Sequence, residues 1–191
     1  DDASTDGTAD SLTGLSAPCL RLIRHPRNMG KGAAIRSGIL SVSADAVVIQ
    51  DADLEYSPEE LPLLLKPAEE GRASVVYGSR FLGRLENMRF ANYLANKVLA
   101  LAASLLYGQR ITDEATCYKL FRADLLKSLP LACRRFEFCP EVTALVRLRR
   151  VPIMEVPITY RGRTRKEGKK IGLSDAWEAL LTLVKYRLAK A

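Results

Sequence analysis

The chain has 191 residues, 48% of them hydrophobic and 27% charged, with a formal net charge of +7. That length suits one domain, and the apolar share feeds a core and excludes wholesale disorder. The basic balance points to an anionic partner, such as phosphate esters or an acidic membrane surface; no helix-turn-helix, RNP or zinc pattern argues for nucleic acid.

Residues 1–8 are polar turn material, followed by a short helix to about residue 15 and a strand at 20–24. Asn28-Met29-Gly30-Lys31-Gly32 is a turn that opens a helix over 31–42, where backbone N–H groups and a lysine can meet an anion. Residues 46–50 are an apolar run bounded by polar ones, which suits a buried parallel strand. It delivers the chain to Asp51-Ala52-Asp53.

Ser57-Pro58-Glu59-Glu60 carries a helix start: Ser as cap, Pro at the first position, acids in the first turn. That helix runs to about residue 70 and stops at Gly71. A strand follows at 74–78, then the best amphipathic helix, 91–106, ended by Gly108. Residues 117–121 read as a strand with a short helix behind it, and 140–149 as a helix. Residues 151–160 are extended, with Pro152 and Pro157 at edge or bend positions. A basic loop spans 161–170 and a terminal helix 173–188. Strands alternating with helices define an α/β domain. The longest apolar stretch, 98–107, is about half the ~20 residues a spanning helix needs.

The four cysteines, Cys19, Cys117, Cys133 and Cys139, show no C-x-x-C spacing, and His25 is the single histidine. A zinc cluster is therefore not expected; reduced structural thiols in a cytoplasmic protein are. Asp51 and Asp53 leave a strand end as alternate residues, which puts two carboxylates at the sheet edge where α/β folds bind ligands. Such a pair suits a hard divalent ion that takes further oxygens from a diphosphate, although helix caps also use acids in this way. Asp113 admits two readings, a catalytic carboxylate or a turn cap. Trp177, Leu180, Leu181, Val184 and Leu188 share helical spacing, which fits core packing or a membrane-facing stripe beside Lys185, Arg187 and Lys190.

Several motifs occur in order. Asp-Asp-Ala-Ser-Thr-Asp-Gly-Thr opens the chain, followed by Asn-Met-Gly-Lys-Gly-Ala-Ala, Gln-Asp-Ala-Asp-Leu-Glu and Tyr-Gly-Ser-Arg-Phe. Thr112 to Arg122, Arg135-Phe136-Glu137-Phe138, Glu155-Val156-Pro157-Ile158 and the Tyr160-Arg161-Gly162-Arg163-Thr164 loop with Lys169 complete the series. This series resembles the family 2 glycosyltransferases, in particular the dolichol-phosphate mannose synthase and polyprenyl-phosphate glycosyltransferase branch.

The resemblance implies a GT-A fold: a Rossmann-like, mostly parallel sheet flanked by helices. It implies inverting transfer of a hexose from a nucleotide sugar, GDP-mannose or UDP-glucose, to a polyprenyl or dolichyl phosphate. Mg²⁺ or Mn²⁺ would assist, and the protein would sit peripherally at the cytoplasmic face of a membrane. Asp2 would bind the donor's base. Asp51 and Asp53 would hold the sugar and the metal–diphosphate, with Asp53 and Glu55 as metal ligands. Lys31 and Arg80 would face the donor, and Arg163 and Lys169 would close over the phosphates. Asp113 matches the position of a catalytic base. Because a lipid phosphate is already anionic, the basic loop and the metal carry more of the expected chemistry than a base does. The family's first strands have no counterpart before Asp1, so the expectation is one catalytic domain, 1–191, lacking an amino-terminal strand-helix-strand. The rival expectations are transfer to a glycan or protein acceptor, and an inactive nucleotide-binding fragment.

Overall fold

A computed structural model describes residues 1–15, 17–163 and 173–189. In chain order the elements are α1 (Thr8–Thr13), α2 (Lys31–Leu40), β1 (Ala46–Val48), a 3-10 turn (Pro58–Glu60) running into α3 (Leu61–Glu69), and β2 (Val75–Glu86). Then come α4 (Phe90–Tyr107), β3 (Lys119–Arg122), α5 (Ala123–Ser128), α6 (Phe138–Leu148), β4 (Met154–Arg161) and α7 (Leu173–Leu188).

The sheet has the order β1-β3-β2-β4. β3 is antiparallel to both its neighbours, whereas β2 and β4 are parallel. Three strands therefore share a direction and β3 opposes them, giving a mixed sheet flanked by helices. Strand periodicity sorts the core onto two faces. Val75, Tyr77 and Phe121 pack with Leu99, Ala103, Val142 and Leu183 on the α4, α6 and α7 side. Val76, Leu120 and Ile158 pack with Leu64 of α3 and the ring of Tyr56 on the other. Each such side chain contributes roughly 1.5–3 kcal/mol by leaving water.

Four expectations need correction. The run at 46–50 is no buried parallel strand: among the described residues β1 stands at the sheet edge and pairs with β3, antiparallel. Residues 20–24 form no strand: the Asp1 amino group donates to the Ile23 carbonyl at 2.8 Å and the His25 N–H donates to the Asp1 carbonyl at 2.9 Å. A single partner residue gives two bonds and no ladder. β2 runs eight residues past its expected end at 78, because β4 pairs with it again from Arg84 to Glu86 after a register shift. Gly83 permits that approach, since a β carbon there would lie 2.1 Å from the Ile158 carbonyl oxygen. Finally, the core side of α7 is Ala179 and Leu183, while Trp177, Leu181 and Leu188 stand exposed.

Candidate active site

One edge of the sheet collects the charged residues. Because β1 and β4 run the same way, the segments that follow them emerge together, and the reversed β3 brings its approach, 113–117, to the same edge. The resulting cleft occupies about 1140 Å³, its open mouth included. Lys31, Asp51, Asp53, Glu55, Arg80 and Arg163 form its charged wall. Leu99, Phe136, Phe138, Ala176 and Ala179 are on its apolar side.

The turn after β1 presents the carboxylates. Leu54 takes a φ of 60°, a left-handed conformation that costs a residue with a side chain roughly 1–2 kcal/mol. Asp53 Oδ1 accepts the Glu55 N–H at 3.1 Å and so stabilises the reversal. Both aspartates face cations. Lys31 Nζ lies 2.6 Å from Asp51 Oδ2, and Arg163 Nη2 lies 2.9 Å from Asp53 Oδ2. These four side chains keep between 21% and 32% of their surface exposed. Burial pulls the Lys31 ammonium down, but Cys117 and Asp51 beside it hold it well above its ordinary value.

Glu55 ties this turn to the end of β4. It is buried; Oε1 accepts the Arg163 N–H and Oε2 the Tyr160 hydroxyl, each at 2.9 Å. Burial, reinforced by Glu55, raises the Tyr160 phenol above its usual range. Beneath the turn, Tyr56 stacks on Tyr118 at 4.8 Å and meets Tyr160 edge-on at 5.4 Å. The pattern of acids and bases gave no sign of this aromatic support; Tyr56 and Tyr160 are visible only as neighbours of motif residues.

Arg80 and Asp113 form a second kind of pair. Asp113 Oδ2 accepts from the Arg80 backbone N–H at 2.9 Å and from Nε at 2.7 Å, and Oδ1 accepts from Nη2 at 2.7 Å. Their side chains are 7% and 0% exposed. Glu155 of β4 fixes the segment by accepting the Thr112 and Asp113 N–H groups. Arg80 therefore reaches the cleft wall, while Asp113 stands behind it with both oxygens engaged.

Asp2 lies outside the cleft wall. Its carboxylate accepts the Met29 and Gly30 N–H groups at 2.8 and 2.7 Å and contacts His25 Nδ1 at 2.7 Å. Burial raises the Asp2 carboxyl, but these hydrogen bonds outweigh it and hold the group below its ordinary value. Beyond Lys31, the Gly32 and Ala33 N–H groups donate to the Arg135 and Arg134 carbonyls. The Met29, Gly30, Gly32 and Ala33 donors expected to meet an anion at the start of α2 are thus taken by the protein itself. Gly30 is required there: its φ is 95°, and a β carbon would lie 2.4 Å from the Arg134 carbonyl oxygen. Lys169 lies outside the described residues.

Three further groups line the cleft. Glu114 is fully buried; burial pushes its carboxyl up to about 8, and Oε1 accepts the Thr143 hydroxyl at 3.3 Å. Cys117 and Cys139 lie close enough for each to shift the other's thiol, and Cys139 together with burial pushes Cys117 up. The Cys117 thiol lowers Cys139 most, against burial, and Lys119 and Lys31 add to the effect, so Cys139 falls to about 6. The only hint of Glu114 in the sequence was its place beside Asp113, and the cysteines carried no spacing signal.

Residues 1–129 match the Glycosyl transferase family 2 sequence model. The chain belongs to glycosyl transferase family 2. Among curated relatives, this family 2 chain is 30% identical to an undecaprenyl-phosphate mannosyltransferase of Micrococcus luteus, over 99% of this chain and 81% of the relative. It is 28% identical to a dolichol-phosphate mannosyltransferase of Pyrococcus furiosus, over 90% of this chain and 49% of that one. The chain thus spans about half the length of the archaeal relative. Glucosyl-3-phosphoglycerate synthase from Mycobacterium tuberculosis, solved in complex with Mn²⁺ and UDP-glucose, superposes with a TM-score of 0.70 at 22% identity. That match covers 97% of this chain and 66% of the synthase. The likeness identifies the GT-A fold.

Proposed function

We propose that the chain is an inverting hexosyltransferase that moves a sugar from a nucleotide donor, GDP-mannose or UDP-glucose, to a polyprenyl phosphate. One observation carries this reading: two part-exposed carboxylates, Asp51 and Asp53, pair with Lys31 and Arg163 on one wall of a cleft whose other side is apolar. Relatives named for mannosyl transfer to undecaprenyl and dolichol phosphates support the acceptor class.

In this reading a phosphate oxygen of the acceptor attacks the anomeric carbon while the bond to the nucleoside diphosphate breaks, inverting the configuration. The chief task is electrostatic, since two anions must meet and a third must leave. Lys31, Arg80 and Arg163 supply positive charge, with Lys169 expected to join from the basic loop. Asp113 positions Arg80 instead of taking a proton, and Glu55 positions Arg163. Asp2 acts by fixing the 28–30 turn beside the donor.

Mg²⁺ or Mn²⁺ fits the donor set. Among the described residues there is no group of three or more His, Cys, Asp or Glu side chains able to hold an ion. Asp51 and Asp53 instead offer two hard oxygens, and Glu55 behind them is already bonded to Tyr160 and Arg163. Such a set suits an ion that uses one or two carboxylates and draws its other ligands from phosphate and water. When bound, the ion would neutralise charge on the departing diphosphate.

The outward faces of α4 and α7 support a membrane-surface location. Phe90, Leu94, Leu101, Leu105, Trp177 and Leu181 are 51–79% exposed. The two helices pack against each other, and Arg89, Lys97, Lys185 and Arg187 lie along them. An apolar face with basic residues fits an anionic bilayer at the cytoplasmic side. No helix among the described residues is long and apolar enough to cross a membrane.

The test is transfer of radiolabelled hexose to polyprenyl phosphate by the purified protein with Mn²⁺. Asp53→Ala is expected to abolish it, and omitting the lipid phosphate is expected to leave no product. Undiminished transfer by the variant would remove Asp53 from the mechanism, and product formed without lipid would point to a glycan or protein acceptor.

A further inference from the structure

Sugar transfer as described makes no use of sulfur, yet two thiols meet in the cleft wall. Lys31 Nζ donates to Cys117 Sγ at 3.1 Å, and Cys139 Sγ donates to the Thr116 carbonyl at 3.4 Å. Both cysteines are part-exposed, whereas Cys133 is buried and Cys19, though exposed, is not in this wall. They come from separate elements, the approach to β3 and the first turn of α6. The charged groups acting on the pair are Lys31, Lys119 and Asp51. Cys117 first, then Lys119 and Lys31, favour the thiolate at Cys139, the condition for attack on a disulfide, while Cys139 and burial keep Cys117 a thiol.

We propose that Cys117 and Cys139 form a thiol–disulfide site inside the cleft, which reacts with small disulfides and, once oxidised, closes the cleft to nucleotide. The Cys139 sulfur attacks one sulfur of the small disulfide. That S–S bond breaks, and one small thiol leaves with the proton Cys139 gave up. Cys117 then attacks Cys139 Sγ; the second small thiol leaves with the proton of Cys117. Two protein thiols are oxidised to one disulfide, and the small disulfide is reduced to two thiols. The product takes Cys117 from Lys31, the cation that faces Asp51. The second half of this inference rests on the proposed function, since it requires the cleft to hold nucleotide.

The experiment uses the full chain carrying Cys19→Ser, reduced and then incubated with oxidised glutathione. Peptide mass mapping reads the linkage, and calorimetry with UDP or GDP plus Mn²⁺ reads affinity before oxidation, after it, and after dithiothreitol. The expected result is a Cys117–Cys139 linkage, at least about a tenfold loss of nucleotide affinity, and recovery on reduction. Cys139→Ser should show the same affinity before and after glutathione treatment, whereas Cys117→Ser should keep glutathione on Cys139 as a mixed disulfide that dithiothreitol removes. Full linkage with unchanged affinity would overturn the closure, and no linkage after prolonged oxidation would overturn the site. A reduced protein that binds neither nucleotide would instead overturn the proposed function, and the linkage readout would still decide the thiol chemistry.

Discussion

Two aspartate–arginine pairs serve the same cleft, and their surroundings give them opposite roles. Arg80 and Asp113 are locked, with 7% and 0% of their side chains exposed and three hydrogen bonds between them. Arg163 and Asp53 share a single contact at 2.9 Å and keep 32% and 23% exposed. A buried pair cannot part without leaving a charge unsolvated, whereas a part-exposed pair exchanges partners at little cost. The first is suited to scaffolding and the second to meeting a ligand, although the residue types are the same.

The comparison can be broken most decisively at Asp113. Asp113→Ala strands the Arg80 guanidinium and is expected to cost about 3–5 kcal/mol in urea unfolding. A loss under about 1 kcal/mol would mean the pair is not locked.

Glu114, beside the locked pair, gives a pH signature. Its folded-state carboxyl lies at about 8 against an ordinary 4.5, so the folded chain holds a proton that the unfolded chain releases. Stability from this group is full below pH ~4.5 and is lost as pH rises toward about 8. Glu114→Gln should flatten this part of the stability profile, by an amount on the order of a few kcal/mol across the window. Identical pH slopes for the two proteins would contradict the burial assigned to Glu114.

On the exchangeable side, Tyr160→Phe removes one donor from Glu55 and should cost about 1 kcal/mol. It should also loosen Arg163, which appears as weaker nucleotide binding at unchanged fold. The smallest effect belongs to Asp53→Asn, expected to alter unfolding by less than about 1 kcal/mol while removing transfer. A large stability loss there would place Asp53 with Asp113 as scaffolding.

How much of this was legible in the sequence depended on whether the signal was local. α7 begins and ends where its periodicity places it, at Leu173–Leu188. α4 extends one residue beyond expectation at each end, because Arg89 stays extended and Gly108 takes the left-handed stop. The carboxylate turn was legible because strand 46–50 pointed to it. The second half of β2 was not, since Arg80, Gly83 and Arg84 look unlike a strand until β4 supplies a partner across Gly83. Pairings across long separations were equally hidden. Asp113 could be marked as important, but only the fold shows that its charge is spent on Arg80, 33 residues earlier. The partners of Glu137 and Glu141 were hidden in the same way. Glu137 accepts the Arg134 and Arg135 N–H groups, and Glu141 those of Ala132 and Cys133.

Trp177 is the chain's single tryptophan, 63% exposed on the helix that also lends Asp175, Ala176 and Ala179 to the cleft. The protein therefore carries its own fluorophore between its pocket and the exposed apolar face of α7. Every indole photon comes from that one spot, with no second tryptophan to subtract. A lipid vesicle settling on α7 would turn the emission bluer, and a water-filled contact would leave the colour where it started.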